Sequence, residues 1–297
     1  MRKTFSWITR PMTLVMLFAA ASIYLAACAK ENSFNPPKET GHGNVDTTGT
    51  GGTKDTTTTG GGTKDTTTTG GGGSVGNFAQ MPAGISVQTL GRAAPAINKQ
   101  YVLYTPSTYN TEKSKSWPVI IFLHGIGERG SNITAVKNVA LPRKLAGEKD
   151  FQFVMIAPQC SADEWWDIPS LNALYAEVLE KYNVDPSRVY LTGLSMGGYG
   201  AWNWSMKAAE KFAAVAPICG GADYPDLVCN LKSKPVWVFH NANDPTVGVE
   251  NSRNLVAALK KCGSTSVTYT ENATGGHDAW TKLTTHQSCI RMLKYRK

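Results

Sequence analysis

Apolar residues divide the 297-residue chain into three stretches. Residues 12–27 form one apolar run, residues 39–76 hold almost nothing apolar, and regular patterning starts near Phe78. In the last stretch "WPVIIFLHG" and "FQFVMIAP" are continuous apolar runs, the pattern of strands buried on both faces. "ISVQTL", "KQYVLYTP", "SRVYLTG", "FAAVAPI", "PVWVFHN" and "TSVTYTE" predict further strands. "LNALYAEVLEKYNVD" instead places Leu171, Leu174, Tyr175, Val178 and Leu179 on one helical stripe. "SMGGYGAWNWSMKAAEKF" predicts a helix with a glycine-rich start, "NSRNLVAALKKCG" another, and "AWTKLTTHQSCIRMLKYRK" a closing one. Strands alternating with helices predict an α/β fold with a mostly parallel sheet. Such sheets take their ligands beyond the carboxyl ends of the strands, so the loops leaving the strands are where chemistry is to be sought.

The two earlier stretches have different physics. "TKDTTTTGGG" occurs twice in succession within residues 53–72. A segment of Thr, Gly, Lys and Asp buries too little to offset its ordering entropy. Two ten-residue units are also too short for a solenoid, so the segment reads as a flexible spacer. At the N-terminus, Arg2, Lys3 and Arg10 precede an apolar run of 16 residues. That is short of the roughly 20 a membrane span needs, and with the small residues after it the segment reads as an export signal. Its end, "LAAC", resembles the lipobox of bacterial lipoproteins. The resemblance implies that residues 1–27 are removed and that Cys28 carries palmitate-type acyl chains, each anchoring by about 0.8 kcal/mol per buried CH₂. Residues 28–77 then form a tether of roughly 40 Å mean reach, and on the order of 150 Å when pulled taut. The expected address is the cell envelope: lipid-anchored to a bacterial membrane, the outer membrane first, periplasmic or surface-exposed. "KE" after the Cys faintly resembles surface-export signals of Bacteroidetes lipoproteins.

Composition narrows the classes. The net charge is +8, but without the three N-terminal cations 27 basic side chains face 22 acidic ones. They are scattered, with no run of five, so a nucleic-acid stripe is excluded. Residues 78–297 are long enough for one large domain.

The loops carry the candidate chemistry. "SRVYLTG" leads into "GLSMGG" and then a helix, which is G-x-S-x-G in its strand–turn–helix context. Ser195 sits at the tip, and the amide of Met196 points toward the oxygen of any carbonyl that Ser195 attacks. A nucleophilic Ser needs a base, and the base an orienting acid. Asp244 follows the strand "PVWVFH", and His277 lies in a Gly-flanked loop after "TSVTYTE". Asp223 and Asp226, after the strand that follows the nucleophile, compete for the acid's place; Asp278, next to the His, folds back with difficulty. Of the other histidines, His42 and His286 lack a loop context, His240 ends a strand and reads as structural, and His124 lies in "LHG", where it is expected to brace the loop. "FLHGIGERG" should supply a second oxyanion donor from the amide of Ile126. Glu128 and Arg129 in that loop read as a solvated pair, with pocket shaping as the other possibility.

These segments, with "APQC", "EWWD", "FAAVAPICGGAD", "HNANDPTV" and "GGHDAW", resemble the α/β-hydrolase superfamily across the patterned region. Within it the chain is similar to carbohydrate esterase family 1 and to bacterial "predicted peptidases" of the phospholipase/carboxylesterase type. The resemblance implies an eight-stranded sheet, a Ser195–His277–Asp244 triad, no cofactor or metal, and cleavage of feruloyl, acetyl or related esters. Asn241 departs from the Gly that relatives often carry after the strand-end His. A peptidase of the same fold and a non-catalytic glycan-binding surface lipoprotein are the alternatives. Trp165, Trp166 and Trp280 flank the loops and suit sugars or phenolic acyl groups, with core packing the competing use; Trp202 and Trp204 read as packing. Beyond Cys28 five cysteines remain. Outside the cytoplasm disulfides are allowed, and Cys219–Cys229 and Cys262–Cys289 are the expected pairs. No Cys-x-x-Cys or His cluster suggests a metal.

Overall fold

The computed structural model describes residues 78–148, 150–281 and 291–297. The expected export signal, Cys28, the tether, His42, His286, Cys289 and residues 282–290 of the expected closing helix lie outside these residues. Among them, no helix is long and apolar enough to cross a membrane.

Eight strands form one sheet: β1 (Gly84–Thr89), β2 (Ile97–Thr105), β3 (Trp117–Leu123), β4 (Val154–Cys160), β5 (Val184–Leu194), β6 (Ala214–Ile218), β7 (Val236–Asn241) and β8 (Val267–Asn272). Their spatial order is β1-β2-β4-β3-β5-β6-β7-β8. β2 runs antiparallel to both β1 and β4, and all later pairings are parallel. The register aligns Leu123 with Gly193, Gly193 with Pro217, Ile218 with Phe239 and Asn241 with Asn272. The carboxyl ends of β3, β5, β6, β7 and β8 therefore share one edge, and their loops open side by side.

β3 is apolar throughout because both of its faces are covered. From β3, Val119, Ile121 and Leu123 enter a core with Leu171 and Trp204, while Ile120 and Phe122 enter another with Val136 and Leu141. Burying each such side chain stabilises the fold by about 1.5–3 kcal/mol. Five helices cover the described sheet: α1 (Ile133–Lys137), α2 (Ala140–Leu145), α3 (Ile168–Lys181), α4 (Met196–Lys207) and α5 (Glu250–Lys261). α1 and α2 have five and six residues, too few for a readable stripe, and were not expected. α3 starts where "EWWD" ends: Asp167 caps it by accepting from the Ser170 amide at 2.8 Å, and Pro169 follows in the first turn. Trp202 and Trp204 are fully buried on α4 and enter different cores, in keeping with their spacing of two.

The cysteine pairing differs from expectation. Cys229, in the short turn Pro225–Leu231, is bonded to Cys262 at the end of α5. Their Cα atoms lie 5.4 Å apart, a proximity created by tertiary packing rather than by spacing along the chain. Neither Cys219–Cys229 nor Cys262–Cys289 forms, and Cys160 and Cys219 are buried free thiols. Closing a loop with a separation of 33 residues stabilises the fold by about 4 kcal/mol in the chain-entropy account.

Candidate active site

β5 ends in a turn that only a glycine-flanked residue can make. Ser195 has φ 54°, in the left-handed region that a side chain rarely adopts. A Cβ on Gly193 would lie 2.2 Å from the Gly197 carbonyl oxygen, and one on Gly197 would lie 2.0 Å from that of Leu123. Both positions must be bare for β5, α4 and the end of β3 to meet. The Ser195 amide donates to the Ile218 carbonyl at 3.0 Å, tying the turn to β6.

Three of the expected residues come together across this edge. His277 Nε2 lies 2.8 Å from Ser195 Oγ, and His277 Nδ1 lies 2.7 Å from Asp244 Oδ2. The carboxylate accepts, so Nδ1 carries the proton and Nε2 is left to receive the serine hydroxyl proton. Asp244 Oδ1 accepts from the amides of Thr246 and Val247 at 2.8 and 3.0 Å. Burial acts to raise the Asp244 carboxyl, but hydrogen bonds from His240, His277 and these two amides outweigh it and hold it well below the usual carboxylate range. Two of the competing acids are engaged elsewhere. Asp223 forms a reciprocal pair with Asn203, at 2.6 and 2.9 Å, and Asp278 accepts from the amide and hydroxyl of Thr281.

The loop after β3 runs beside the nucleophile: a Cβ on Gly125 would lie 3.7 Å from that of Ser195. Ile126 opens a single 3-10 turn and Met196 opens α4. The first amides of a helical turn have no partner within it, so both expected donors are N-terminal N–H groups. His124 braces the loop. The Cys160 amide donates to its Nε2 at 3.0 Å, so the proton is on Nδ1, which donates to the Gly125 carbonyl at 2.6 Å. Burial pushes His124 down to about 4, with the Gly125 carbonyl acting against this and the Arg129 charge adding to it.

One expectation for this loop changes, and one open choice beside it is decided. Glu128 and Arg129 do not pair: Arg129 donates to the Glu164 carbonyl, while burial raises the Glu128 carboxyl against the amides of Gly125 and Glu128. Trp166 offers no open face. It is 8% exposed, stacks edge-on against the His124 ring at 4.8 Å, and donates from its indole N–H to the His124 carbonyl. Trp165 is 47% exposed. Trp280 is half-buried, its ring perpendicular to His277 at 5.5 Å.

Other side chains that hold the site were not expected. Gln159 donates to the carbonyls of Glu128 and Asn132, a polar end to an apolar strand that could have signalled it. Asn241 donates to the Gly276 carbonyl at 3.0 Å and accepts from Asn272 at 2.9 Å. Gly275, at φ 139°, passes so close that a Cβ would lie 2.4 Å from the Asn241 amide nitrogen. The departure from Gly at position 241 thus serves to clamp the His277 loop.

The Cys219 thiol, the Asp244 carboxylate and the His277 imidazole come within 4.8 Å of one another, close enough in principle for a metal ion. The donors fit one poorly. Asp244 and His277 already bond each other, and burial pushes the Cys219 thiol up to about 12, so it keeps its proton.

No family model matches the chain. A probable feruloyl esterase C of Aspergillus niger is 24% identical over 219 residues, covering 70% of this chain and 77% of the relative. A bifunctional acetylxylan esterase/xylanase of Neocallimastix patriciarum is 29% identical over 105 residues, of which this chain spans 16% of the relative's length. Among solved structures, a thermostable esterase has 31% identity and a TM-score of 0.57, covering 67% of this chain and 59% of that one. A ferulic acid esterase has 20% identity and a TM-score of 0.54, covering 71% of this chain and 98% of that one. The chain has the α/β-hydrolase fold, and these four relatives in sequence and structure are named as esterases.

Proposed function

We propose that this protein is a serine hydrolase that cleaves carboxylic esters, with feruloyl or acetyl esters on polysaccharide as its substrates. The observation that carries the reading is the unbroken contact from Ser195 Oγ through His277 to Asp244, at 2.8 and 2.7 Å, on a fold shared with esterases. In this reading Ser195 attacks the ester carbonyl while His277 takes its proton. The amides of Met196 and Ile126 receive the tetrahedral oxyanion, where losing one such donor typically costs about 3–4 kcal/mol. His277 then returns the proton to the leaving alcohol, an acyl-serine forms, and water releases the acid by the reverse path. Asp244 keeps the imidazole in its Nδ1–H form and balances its charge in the transition state. Trp280, whose ring meets His277, and the exposed Trp165 suit a phenolic acyl group or a sugar.

The same reading places the enzyme on a membrane, through acylated Cys28 and a tether of residues 28–77. The Cys229–Cys262 disulfide supports export, since such bonds persist in oxidising compartments. A screen of the purified full chain tests the substrate assignment: feruloyl and acetyl xylo-oligomers against a peptide panel. Turnover of the esters supports it, and turnover confined to peptides overturns it. Metabolic labelling with a palmitate analogue tests the anchor; label that persists in a Cys28→Ala variant overturns that part.

A further inference from the structure

His240 lies next to the last residue of β7 with no exposure to solvent, behind the Ser195–His277–Asp244 contacts. Its Nε2 lies 2.9 Å from the Val247 carbonyl. A carbonyl only accepts, so Nε2 carries a proton. The same Nε2 is 3.2 Å from Asp244 Oδ2, the oxygen to which His277 Nδ1 donates at 2.7 Å. One carboxylate oxygen therefore faces two imidazoles, and the single Nε2–H of His240 is shared between it and the nearer Val247 carbonyl.

The other side of the ring is also built. Nδ1 lies 2.8 Å from Ser252 Oγ on α5, and that hydroxyl is 3.4 Å from the Gly220 carbonyl. Ser252 can donate to a bare Nδ1. It can equally accept from a protonated Nδ1 and turn its own hydrogen to Gly220. Either state of the ring keeps a partner on each nitrogen, which burial demands. The other titratable groups around the ring are already committed. Glu271, opposite His240 in the β7–β8 register, binds Arg253 and Tyr269. Asp223 is held by Asn203, and the Cys219 thiol and Tyr199 phenol keep their protons because burial raises both. Asp244 is the carboxylate in direct contact with the ring.

We propose that His240 is a positioning residue for ester hydrolysis: by sharing its Nε2–H between the Val247 carbonyl and the oxygen that His277 uses, it keeps Asp244 aligned and moderates the carboxylate's hold on His277. The consequence is a hydrolase that keeps its free base, and hence its rate, at lower pH than an undivided Asp–His pair would allow. The proposal rests on the serine-hydrolase reading above.

Two substitutions isolate the contact. His240→Gln places an amide N–H near the Nε2 position and keeps the donor to Asp244. His240→Asn keeps a partner for Ser252 but falls short of Asp244. In kcat/KM–pH profiles of the full chain with a p-nitrophenyl ester, the acid limb of the Asn variant should move to higher pH by about half a unit to one unit. On that limb this is about a three- to tenfold loss in rate, with KM little changed. The Gln variant should overlay the wild type. Coincident limbs for Asn and wild type, or equal shifts for Asn and Gln, would overturn the proposal, since a merely structural histidine changes the folded fraction and not the limb. If the Asn variant does not fold, nitrogen-15 imidazole shifts of the wild type decide. The His240 Nε2 shift should follow the His277 titration midpoint, and independent midpoints would contradict the shared oxygen. A wild type inert toward every ester would sink the hydrolase reading, while the imidazole shifts still report on His240.

Discussion

The turn carrying Ser195 is held by backbone packed on backbone, whereas the loop carrying His277 is held by side chains. At the turn, Gly197 meets the Leu123 carbonyl and Ser195 is forced into the left-handed region. At the loop, Asn241, Asn272, Asn243 and Asp244 supply hydrogen bonds from β7, β8 and the segment after β7. Backbone packing has no slack, because interiors are close-packed and any added atom displaces the chain. Side-chain clamps can be removed one at a time. The two halves of the site should therefore respond very differently to substitution.

The largest effect is expected at the turn. Gly197→Ala would put a methyl group 2.0 Å from the Leu123 carbonyl oxygen and 2.7 Å from that of His124. It should cut kcat/KM for a soluble ester by roughly a hundredfold or more, as displacements near 1 Å do. A variant within threefold of wild type would mean that the turn yields, and the contrast would break.

His124 extends the backbone-held side and gives it a pH signature. Its folded-state value is depressed from 6.5 to about 4. The unfolded chain therefore takes up the proton first. Stability from this group is full above about 6.5 and is lost as pH falls from there to about 4, by about 3 kcal/mol in all. Protonation would also set an N–H against the Cys160 amide. Urea unfolding at a series of pH values should show this slope, and His124→Gln should flatten it.

On the side-chain side the expected effect is smaller. Asn241→Ala leaves the Gly276 carbonyl and the Asn272 amide without their partner. It should lower kcat about tenfold, about 1.4 kcal/mol, with KM within about twofold. The smallest effect is expected at Asp278→Asn. Its carboxylate serves Thr281 and not the imidazole, so activity should stay within about twofold of wild type. A large loss would reopen the choice of acid.

The same contrast explains what was legible in the sequence. Backbone constraint leaves a trace in residue type, so the apolar runs of β3 and β4 and the glycines around Ser195 could be read directly. The positions of Asp244 and His277 at strand ends followed from the order of the elements. Side-chain clamps leave no such trace. Asn241 was noticed as a departure but not as a clamp, because its partner Gly276 lies 35 positions away. Trp166 was left between facing substrate and packing in the core, and the structure packs it against His124. The cysteine pairing failed for the same reason: Cys229 meets Cys262 only once α5 has packed.

The most direct measurement is turnover of p-nitrophenyl acetate by the Ser195→Ala variant of the full chain, with folding checked by circular dichroism. With Ser195 as nucleophile and His277 as its base, kcat should fall by about 10⁴-fold or more and a fluorophosphonate probe should no longer label the protein. Wild-type turnover or undiminished labelling by the folded variant would contradict the account.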